Sequence, residues 1–314
     1  MTKGLVIKST GSWYTVKDED DSLYMCKIKG KFRTKGIRTT NPISVGDTVY
    51  FDVITEASES QKEPVGLINK IENRKNYIIR KSSNLSKQSQ IIAANVDQAF
   101  LIVTISHPRT LTGFIDRFLV SAEAYRIPVS LVFNKLDIYN EGDYEILEDY
   151  LHIYEGAGYE CLQVSAEKDF NIDMLRDKMA NKINVLSGHS GVGKSTIINK
   201  LESGLNIKTA KISEVHQQGK HTTTFAEMHP MKNGGYIIDT PGVRGFGITD
   251  IEKTELSHYY PEIFEISKSC QFNNCSHLHE PKCAIKEAVE NGEIAYTRYE
   301  SYVAMMEDTE EKYR

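Results

Sequence analysis

The chain has 314 residues, a net charge of −5, 40% hydrophobic residues and 26% charged residues, the ordinary balance of a globular protein of roughly two domains. Lys8 interrupts the apolar start of the chain before it reaches the length of a signal-peptide core. No stretch approaches the ~18 consecutive apolar residues of a membrane span. We therefore expect a cytoplasmic protein without a membrane partner, rather than a secreted or membrane-anchored one.

Charge and cysteine are unevenly distributed along the chain. Residues 1–90 carry 16 Lys and Arg against 10 Asp and Glu, whereas residues 251–314 carry 7 against 13. The basic run from Lys27 to Arg38 contains no acid, so it could contact a nucleic acid or protect the edge of a hairpin. The five cysteines, three of them close together near the C-terminus, form a poor disulfide framework and fit a reducing compartment.

The first 72 residues predict a small β-barrel that resembles an OB-fold. Five short apolar or alternating segments are separated by Gly, Asn, Pro and Asp, and they cover residues 5–9, 12–16, 23–28, 47–54 and 66–71. Several short strands in about 70 residues favour a barrel, and the aromatic and basic side chains among them suit either its core or an RNA-binding surface. Residues 73–90, which include a polar run over 80–90, are predicted to be a linker.

Residues 91–249 change to the pattern of an α/β domain. Buried-type strands are predicted at residues 98–105, 128–133, 159–164 and 183–186. The helices predicted between them cover residues 114–126, 142–156 and 171–181. Alternating strands and helices predict a parallel sheet covered by helices on both faces. Residues 250–314 lose the strand pattern and predict a smaller, mostly helical domain, with helices near 252–266, 281–290 and 293–312.

A phosphate-binding loop is predicted between one of these strands and a helix. The pattern Gly188-x4-Gly193-Lys194-Ser195 follows the strand that ends near Leu186. Glycines allow backbone N–H groups to turn toward phosphates, Lys194 would reach the β- and γ-phosphates, and the Ser195 hydroxyl would bind Mg²⁺. The predicted loop comprises Gly188, His189, Ser190, Gly191, Val192, Gly193, Lys194, Ser195 and Thr196.

A second string predicts that the bound nucleotide carries guanine. Asn134, Lys135 and Asp137 follow an apolar strand. The Asp137 carboxylate can accept hydrogen bonds from N1–H and the exocyclic amine of guanine, a donor pair that adenine lacks, so an ATP-using kinase is disfavoured. The dipeptide Ser165-Ala166 follows another predicted strand, and its main-chain N–H groups would support the base.

Two further segments would surround the γ-phosphate and the magnesium ion. Asp239, in an Asp-Thr-Pro-Gly string that ends at Gly242, would hold Mg²⁺ through water, and the Gly242 N–H would sense the γ-phosphate. A threonine of the polar segment before Asp239 is expected to complete the magnesium shell. Thr222, Thr223 and Thr224 are the candidates, and we favour Thr223.

The side chain that positions the attacking water is not evident from the sequence. Many GTPases place a glutamine directly after the Asp-x-x-Gly string, where this chain has Val243. We therefore expect slow intrinsic hydrolysis that a partner stimulates. Our candidate catalytic residues are Lys194, Thr223 and His221, although His221 could equally be a surface histidine.

A cluster of potential metal ligands lies near the C-terminus. Cys270, Cys275, His277 and Cys283 occur within 14 residues and supply three thiolates and an imidazole, a donor set typical of tetrahedral Zn²⁺. His279 is a rival ligand. Since protein groups would fill all four positions, and since the short helical domain has little apolar core of its own, we expect a structural zinc site.

These strings occur in an unusual order, because the base-reading string precedes the phosphate loop. Together with the predicted barrel and the cysteine cluster, this order resembles the bacterial ribosome small-subunit-dependent GTPase A family, RsgA or YjeQ, over essentially the whole chain. The resemblance is carried by the four predicted zinc ligands and by residues 134–137, 188–196, 219–224 and 239–242. It implies an OB-fold-like barrel, a circularly permuted P-loop GTPase domain and a helical zinc-binding domain.

The resemblance also implies a function. The chain would be a monomeric GTPase that uses GTP or GDP with Mg²⁺, carries one structural Zn²⁺ and acts on the 30S ribosomal subunit late in its maturation. It would contact 16S ribosomal RNA through the barrel and the zinc domain, and the subunit would stimulate hydrolysis. We predict domains at residues 1–72, 91–249 and 250–314. An alternative is a nucleotide-gated rRNA-binding switch with negligible catalysis.

Overall fold

The computed structural model describes residues 1–28, 42–55, 64–81, 89–202, 227–239 and 251–307. The chain divides into two compact units. Unit 1 consists of Met1–Ala99, Ile172–Ser187 and Ser195–Gly247. Unit 2 consists of Phe100–Asn171, Gly188–Lys194 and Ile248–Arg314. Of the predicted site residues, His221, Thr223 and Gly242 lie outside the described residues, as does the basic run beyond Ile28.

Five strands of unit 1 close into a barrel. They are β1 (Thr2–Ser9), β2 (Tyr14–Asp18), β3 (Leu23–Ile28), β4 (Thr48–Thr55) and β5 (Val65–Ile71). Their order is β1-β2-β3-β5-β4, and β1 also pairs with β4, which closes the barrel. The pair β3–β5 is parallel, whereas the other four pairs are antiparallel. The apolar segments read from the sequence fill its core, and the predicted barrel is confirmed.

An antiparallel pair of strands follows the barrel. β6 (Tyr77–Lys81) pairs with β7 (Ser89–Ala94), although sequence analysis predicts a linker over much of this region. These strands form because Ile78, Ile91 and Ala93 are buried. The polar run between them makes the apolar pattern hard to recognise in the sequence. The segment predicted as a linker, residues 73–90, thus contains β6 and the first two residues of β7, and its limits stay a prediction.

Unit 2 contains the first alternating strands and helices. They are β8 (Gln98–Val103, whose first two residues belong to unit 1), α1 (Thr112–Ala124), β9 (Val129–Phe133), α2 (Glu141–Gly156) and β10 (Glu160–Gln163). The strands lie in the order β10-β9-β8, and β10 is parallel to β9. α2 begins at a capping box, since the Asn140 side chain accepts from the Asp143 N–H and the Asp143 carboxylate accepts from the Asn140 N–H.

The remaining α/β elements belong almost entirely to unit 1. They are α3 (Ile172–Met179), β11 (Ile183–Ser187), α4 (Lys194–Leu201), β12 (Glu227–Pro230) and β13 (Tyr236–Asp239). β11 and β13 are parallel, which agrees with the parallel sheet predicted for this region. The sequence did not predict β12, a short strand antiparallel to both β13 and β1. An ion pair of 3.0 Å between Lys8 and Glu227 lies where β1 and β12 pair, so the barrel continues into this sheet.

The C-terminal part of unit 2 is helical. A 3-10 helix (Lys253–Tyr259) is followed by α5 (Pro261–Ser267), α6 (Ala284–Glu290) and α7 (Tyr296–Met306). The helix predicted near 252–266 is interrupted, because Pro261 starts a new helix at its first position. Val120 of α1 packs in the same apolar cluster as the side chains of these helices. In the part of the chain that the structure describes, no helix has the length and apolar character needed to cross a bilayer.

Candidate nucleotide site and metal cluster

The phosphate loop, residues 188–195, connects β11 to α4 with a backbone that requires glycine. Gly188, Gly191 and Gly193 have φ angles of +144°, +85° and +97°. A Cβ atom on Gly193 would lie 2.4 Å from Asn134 Nδ2, and one on Gly188 would lie 2.5 Å from the Ile102 carbonyl oxygen. Larger residues would therefore meet both backbone strain and a steric clash at these positions.

Asn134 joins the base-reading string to the phosphate loop. Its Nδ2 donates to the Val192 carbonyl oxygen at 2.9 Å, and its Oδ1 accepts from the Ala166 N–H at 3.1 Å. The side chain is only 2% exposed, so both hydrogen bonds are shielded from water. Three strings that are far apart in sequence are thus brought to one place in unit 2.

Lys194 lies across the phosphate loop. Its ammonium donates to the carbonyl oxygens of Gly188 and His189, each at 2.6 Å. These bonds hold a positive charge at a loop that leads directly into the first turn of α4, where backbone N–H groups have no intrahelical partner. The arrangement is suited to an anion such as a nucleotide phosphate.

Asp137 follows Asn134 and Lys135 in the base-reading string. It lies in a short 3-10 helix, Leu136–Ile138, and its exposed carboxylate accepts a hydrogen bond from the Ser165 hydroxyl. The Ser165 Oγ in turn accepts from the Lys168 N–H at 3.1 Å. Lys135 precedes the helix with a φ of +71°, and its Nζ donates to the His107 carbonyl oxygen at 2.6 Å. A base that lay along Lys135 could meet Asp137 at its edge.

The predicted magnesium ligands are only partly described. Ser195 and Thr196 belong to the first turn of α4. Asp239 is the last residue of β13, and the register Val185↔Ile238 places its backbone at the carboxyl end of the strand beside β11. Parallel strands that end at one edge commonly carry a ligand site there.

The predicted metal ligands form a cluster in unit 2. One donor atom from each of Cys270, Cys275, His277 and Cys283 lies within 4.8 Å of all the others. The His277 Nδ1 is 3.6 Å from Cys270 Sγ and 3.5 Å from Cys283 Sγ. His277 has a φ of +62°, and this turn brings its ring to the cysteines, whereas the rival His279 is outside the cluster.

The electrostatics of the cluster suit a metal ion. Burial lowers the pKa of His277, which keeps the imidazole neutral, and burial raises the pKa of the Cys275 thiol to about 12. A divalent cation is the partner that would stabilise several buried thiolates at once. The Tyr299 hydroxyl donates to the His277 carbonyl oxygen at 2.7 Å, and the Tyr302 hydroxyl donates to that of Ser276 at 2.9 Å, so α7 supports the ligand loop.

Family models match most of the chain. Residues 3–60 match the RsgA N-terminal domain, and residues 71–249 match the RsgA GTPase. The chain belongs to the RsgA GTPase family. It is 55% identical over 313 residues to small ribosomal subunit biogenesis GTPase RsgA 2 of Bacteroides thetaiotaomicron, covering 99% of each chain. It is 54% identical over the same length to RsgA of Bacteroides fragilis, again covering 99% of each.

Solved structures agree with the assignment to the RsgA family. YjeQ from Thermotoga maritima is 36% identical with a TM-score of 0.77, and the match covers 98% of this chain and 97% of that one. YloQ, described as a circularly permuted GTPase, is 32% identical with a TM-score of 0.73, covering 98% and 94%. The predicted fold is confirmed: an N-terminal barrel, a circularly permuted GTPase domain in which the base-reading string precedes the phosphate loop, and a C-terminal segment with a Cys₃His cluster.

Sequence reasoning missed several residues that support the site in this RsgA-family chain. The Tyr139 hydroxyl donates to the Asn134 carbonyl oxygen at 2.7 Å and accepts from the Ile105 N–H at 2.9 Å. Burial raises the pKa of Tyr139 to about 12, so the phenol remains a neutral donor. The His107 carbonyl, which holds Lys135, and Phe114, whose ring lies against His189, were also missed. No motif marks these positions, because each acts through a contact made only in the folded chain.

Proposed function

We propose that the chain is a GTP hydrolase that acts in late maturation of the 30S ribosomal subunit. The observation that carries this proposal is the pair of hydrogen bonds through which Asn134 joins the phosphate loop to the base-reading string, in a chain of the RsgA GTPase family. The protein would work as a cytoplasmic monomer, and the subunit would stimulate its turnover. The relatives it matches carry the name of small ribosomal subunit biogenesis GTPases.

The proposed substrate is GTP with Mg²⁺. The loop N–H groups and Lys194 would hold the β- and γ-phosphates, and Asp137 with the Ser165-Ala166 segment would hold guanine. The magnesium ligands would be Ser195, Thr223 and, through water, Asp239, with Gly242 sensing the γ-phosphate. The chain itself orients the phosphates, fixes the base and excludes nucleotides that lack guanine's donor pair.

Replacing Asp137 with asparagine should exchange the nucleotide specificity. The new side chain would present an amide in place of a carboxylate oxygen, so it would lose a charge-assisted acceptor for guanine and gain a donor for the 2-oxo group of xanthine. Because the Asp137 carboxylate would accept two hydrogen bonds from guanine, its loss should lower affinity for GDP by about 100-fold or more. Affinity for xanthosine diphosphate should rise. Titration with fluorescent GDP and its xanthine analogue measures both constants.

A matched variant controls for general effects of losing a carboxylate. Asp149 is exposed on α2, away from the base-reading string in sequence, and Asp149→Asn should leave both constants unchanged. Unaltered GDP selectivity in Asp137→Asn would contradict the assignment of Asp137 to the base.

Hydrolysis should depend on the ribosomal subunit. Because Val243 occupies the position where many GTPases have a glutamine, the free protein should turn over slowly, and purified 30S subunits should accelerate it by at least about 100-fold. His221→Ala should lower this stimulated rate without changing GDP affinity, since the imidazole would orient water rather than bind the nucleotide. Phosphate release with and without 30S subunits measures the effect.

The control for His221 is His152→Ala, which changes an exposed histidine on α2. Equal stimulated rates in all three proteins would remove His221 from catalysis. Absence of any stimulation would instead favour a nucleotide-gated RNA-binding switch.

The metal cluster and the barrel complete the proposal. The cluster would hold one structural Zn²⁺ through Cys270, Cys275, His277 and Cys283, with no ligand position left for substrate. The 16S ribosomal RNA would be contacted by the barrel, whose Lys27 ammonium lies 4.1 Å above the ring of Trp13, and by the zinc-binding segment. The domain limits 1–72, 91–249 and 250–314 stay predictions. Cross-linking to purified 30S subunits in each nucleotide state would test these contacts.

A further inference from the structure

Helix α1 carries an aromatic side chain that touches the phosphate loop. The Phe114 ring lies with its centroid 3.7 Å from that of His189, and the two planes differ by 30°. His189 is the second residue of the loop, and its carbonyl oxygen accepts one of the two hydrogen bonds from Lys194. This contact between the two rings therefore restrains the backbone that orients the Lys194 ammonium.

The same helix carries a fully buried carboxylate. Asp116 is 0% exposed, and Arg298 of α7, 1% exposed, donates to its Oδ1 at 2.8 Å. Arg298 also makes two hydrogen bonds to the Glu262 carboxylate of α5, at 2.7 and 3.0 Å, and its guanidinium carbon lies 4.6 Å from the Tyr260 ring centroid. Removing one partner from such a cluster leaves a buried charge without its counterpart, which is strongly unfavourable. The Arg298 guanidinium must therefore keep its geometry relative to both carboxylates.

Arg298 therefore fixes where α1 lies against the C-terminal helices. Apolar contacts such as those of Val120 tolerate small displacements, whereas the buried hydrogen bond from Arg298 to Asp116 of α1 is directional. The bidentate pair between Arg298 and Glu262 of α5 holds the guanidinium in the orientation that this hydrogen bond needs. The next residue of α7, Tyr299, donates to the carbonyl oxygen of His277 in the Cys₃His cluster. Helices α7 and α1 thus connect the loop that carries His277 to the phosphate loop, through the Tyr299, Arg298–Asp116 and Phe114 contacts.

We propose that Phe114 is a positioning residue for the phosphate loop, and that Arg298 acts through it by holding α1 in place. Neither residue belongs to the segments predicted to bind the nucleotide. The inference rests on the proposed function, because it assumes that residues 188–195 bind the phosphates of a guanine nucleotide. It assigns to the buried Asp116–Arg298–Glu262 cluster a role in nucleotide affinity in addition to its role in stability.

The direct test compares two substitutions at Phe114 in the full-length, metal-loaded protein. Phe114→Leu keeps an apolar side chain but removes the ring, and the dissociation constant for fluorescent GDP should rise about threefold to tenfold, the range of one aromatic pair. Phe114→Tyr keeps the ring and should remain within about twofold of the unaltered protein. An unchanged constant in Phe114→Leu would overturn the proposal.

The second test asks whether Arg298 acts through Phe114. Arg298→Lys keeps the charge but loses the bidentate pairing, and it should weaken GDP binding by about threefold at a temperature well below unfolding. In a protein that already carries Phe114→Leu, the same change should weaken GDP binding no further. Independent, additive effects of the two substitutions would contradict this order of action.

A stability control separates positioning from general destabilisation. Ile285→Ala opens a cavity in the apolar cluster of the C-terminal helices, where Ile285 is 0% exposed, so it should lower the melting temperature without changing the GDP constant. Equal GDP weakening in Ile285→Ala and Arg298→Lys would reduce Arg298 to a structural role. If Arg298→Lys does not fold, Glu262→Gln disturbs the same cluster at an 11% exposed side chain and takes its place.

The two proposals fail in different ways. If the unaltered protein binds no guanine nucleotide, the proposed function is wrong, and there is no GDP dissociation constant against which the variants could be compared. If it binds GDP but the Phe114 and Arg298 substitutions leave the constant unchanged, the function stands and the positioning role is wrong.

Discussion

Gly193→Ala is expected to reduce affinity for guanine nucleotides by about 100-fold. Gly193 has a φ of +97°, and its added Cβ would lie 2.4 Å from Asn134 Nδ2. Holding a non-glycine residue in this region costs about 1–3 kcal/mol, and displacing Asn134 breaks a buried hydrogen bond worth about 1 kcal/mol. The loop would relax in the free protein and would have to recover the strained form on binding, so the cost appears in the dissociation constant.

The matched control is Gly156→Ala at the end of α2, where an added Cβ meets no atom within 4 Å. Alanine is a better helix former than glycine, so this variant should bind GDP normally and be as stable as the original or slightly more so. Titration with fluorescent GDP gives both affinities, and thermal unfolding gives the stability. Normal GDP affinity in Gly193→Ala would mean that the loop does not bind phosphates in the described conformation.

Cys283→Ser should release the metal and unfold the C-terminal helical segment. Cys283 is 5% exposed, precedes α6 directly and packs in the apolar cluster with Ile285 and Tyr302, so its loss removes a ligand and disturbs packing together. Loss of a structural metal is among the few causes of large destabilisation, and the free energy of unfolding should fall by more than about 4 kcal/mol. Metal analysis and circular dichroism measure the two effects.

Cys161→Ser is the matched control, because Cys161 is a half-buried cysteine on β10 that takes no part in the cluster. It should retain one equivalent of metal. Full metal content in Cys283→Ser would show that another residue, such as His279, completes the site.

Metal retention at the Cys₃His cluster should also weaken as the pH falls, because the ligands are cysteines. Burial raises the pKa of the Cys275 thiol to about 12, so binding a metal must displace protons from the cysteines. As the pH falls from about 8 to about 6, protons compete more strongly with the metal, and a chelator should remove it more readily. Retention that improved on acidification would contradict thiolate ligation.

A guanine nucleotide and the permuted order could both be predicted from the sequence because each prediction depends on local strings. A phosphate loop needs glycines, a lysine and a hydroxyl at fixed spacing. This pattern therefore predicts the loop wherever it follows a strand. The alternation of apolar segments likewise predicted the barrel and the strands of the α/β domain. β12 escaped detection because four residues that include Pro230 give too short a pattern to recognise.

By itself, therefore, the sequence predicted a guanine nucleotide as the ligand of this RsgA-family chain, the residue types that would hold it, and a Cys₃His cluster, which the structure shows. Only the tertiary structure decided that His277 rather than His279 faces the cysteines, since both histidines fit the spacing and the backbone turn at His277 selects one. It alone also paired Asp116 with Arg298, 182 residues away, and placed the Phe114 ring against that of His189. Such contacts leave no periodic trace along the chain, because they are fixed by how whole helices pack and not by the neighbours of each residue.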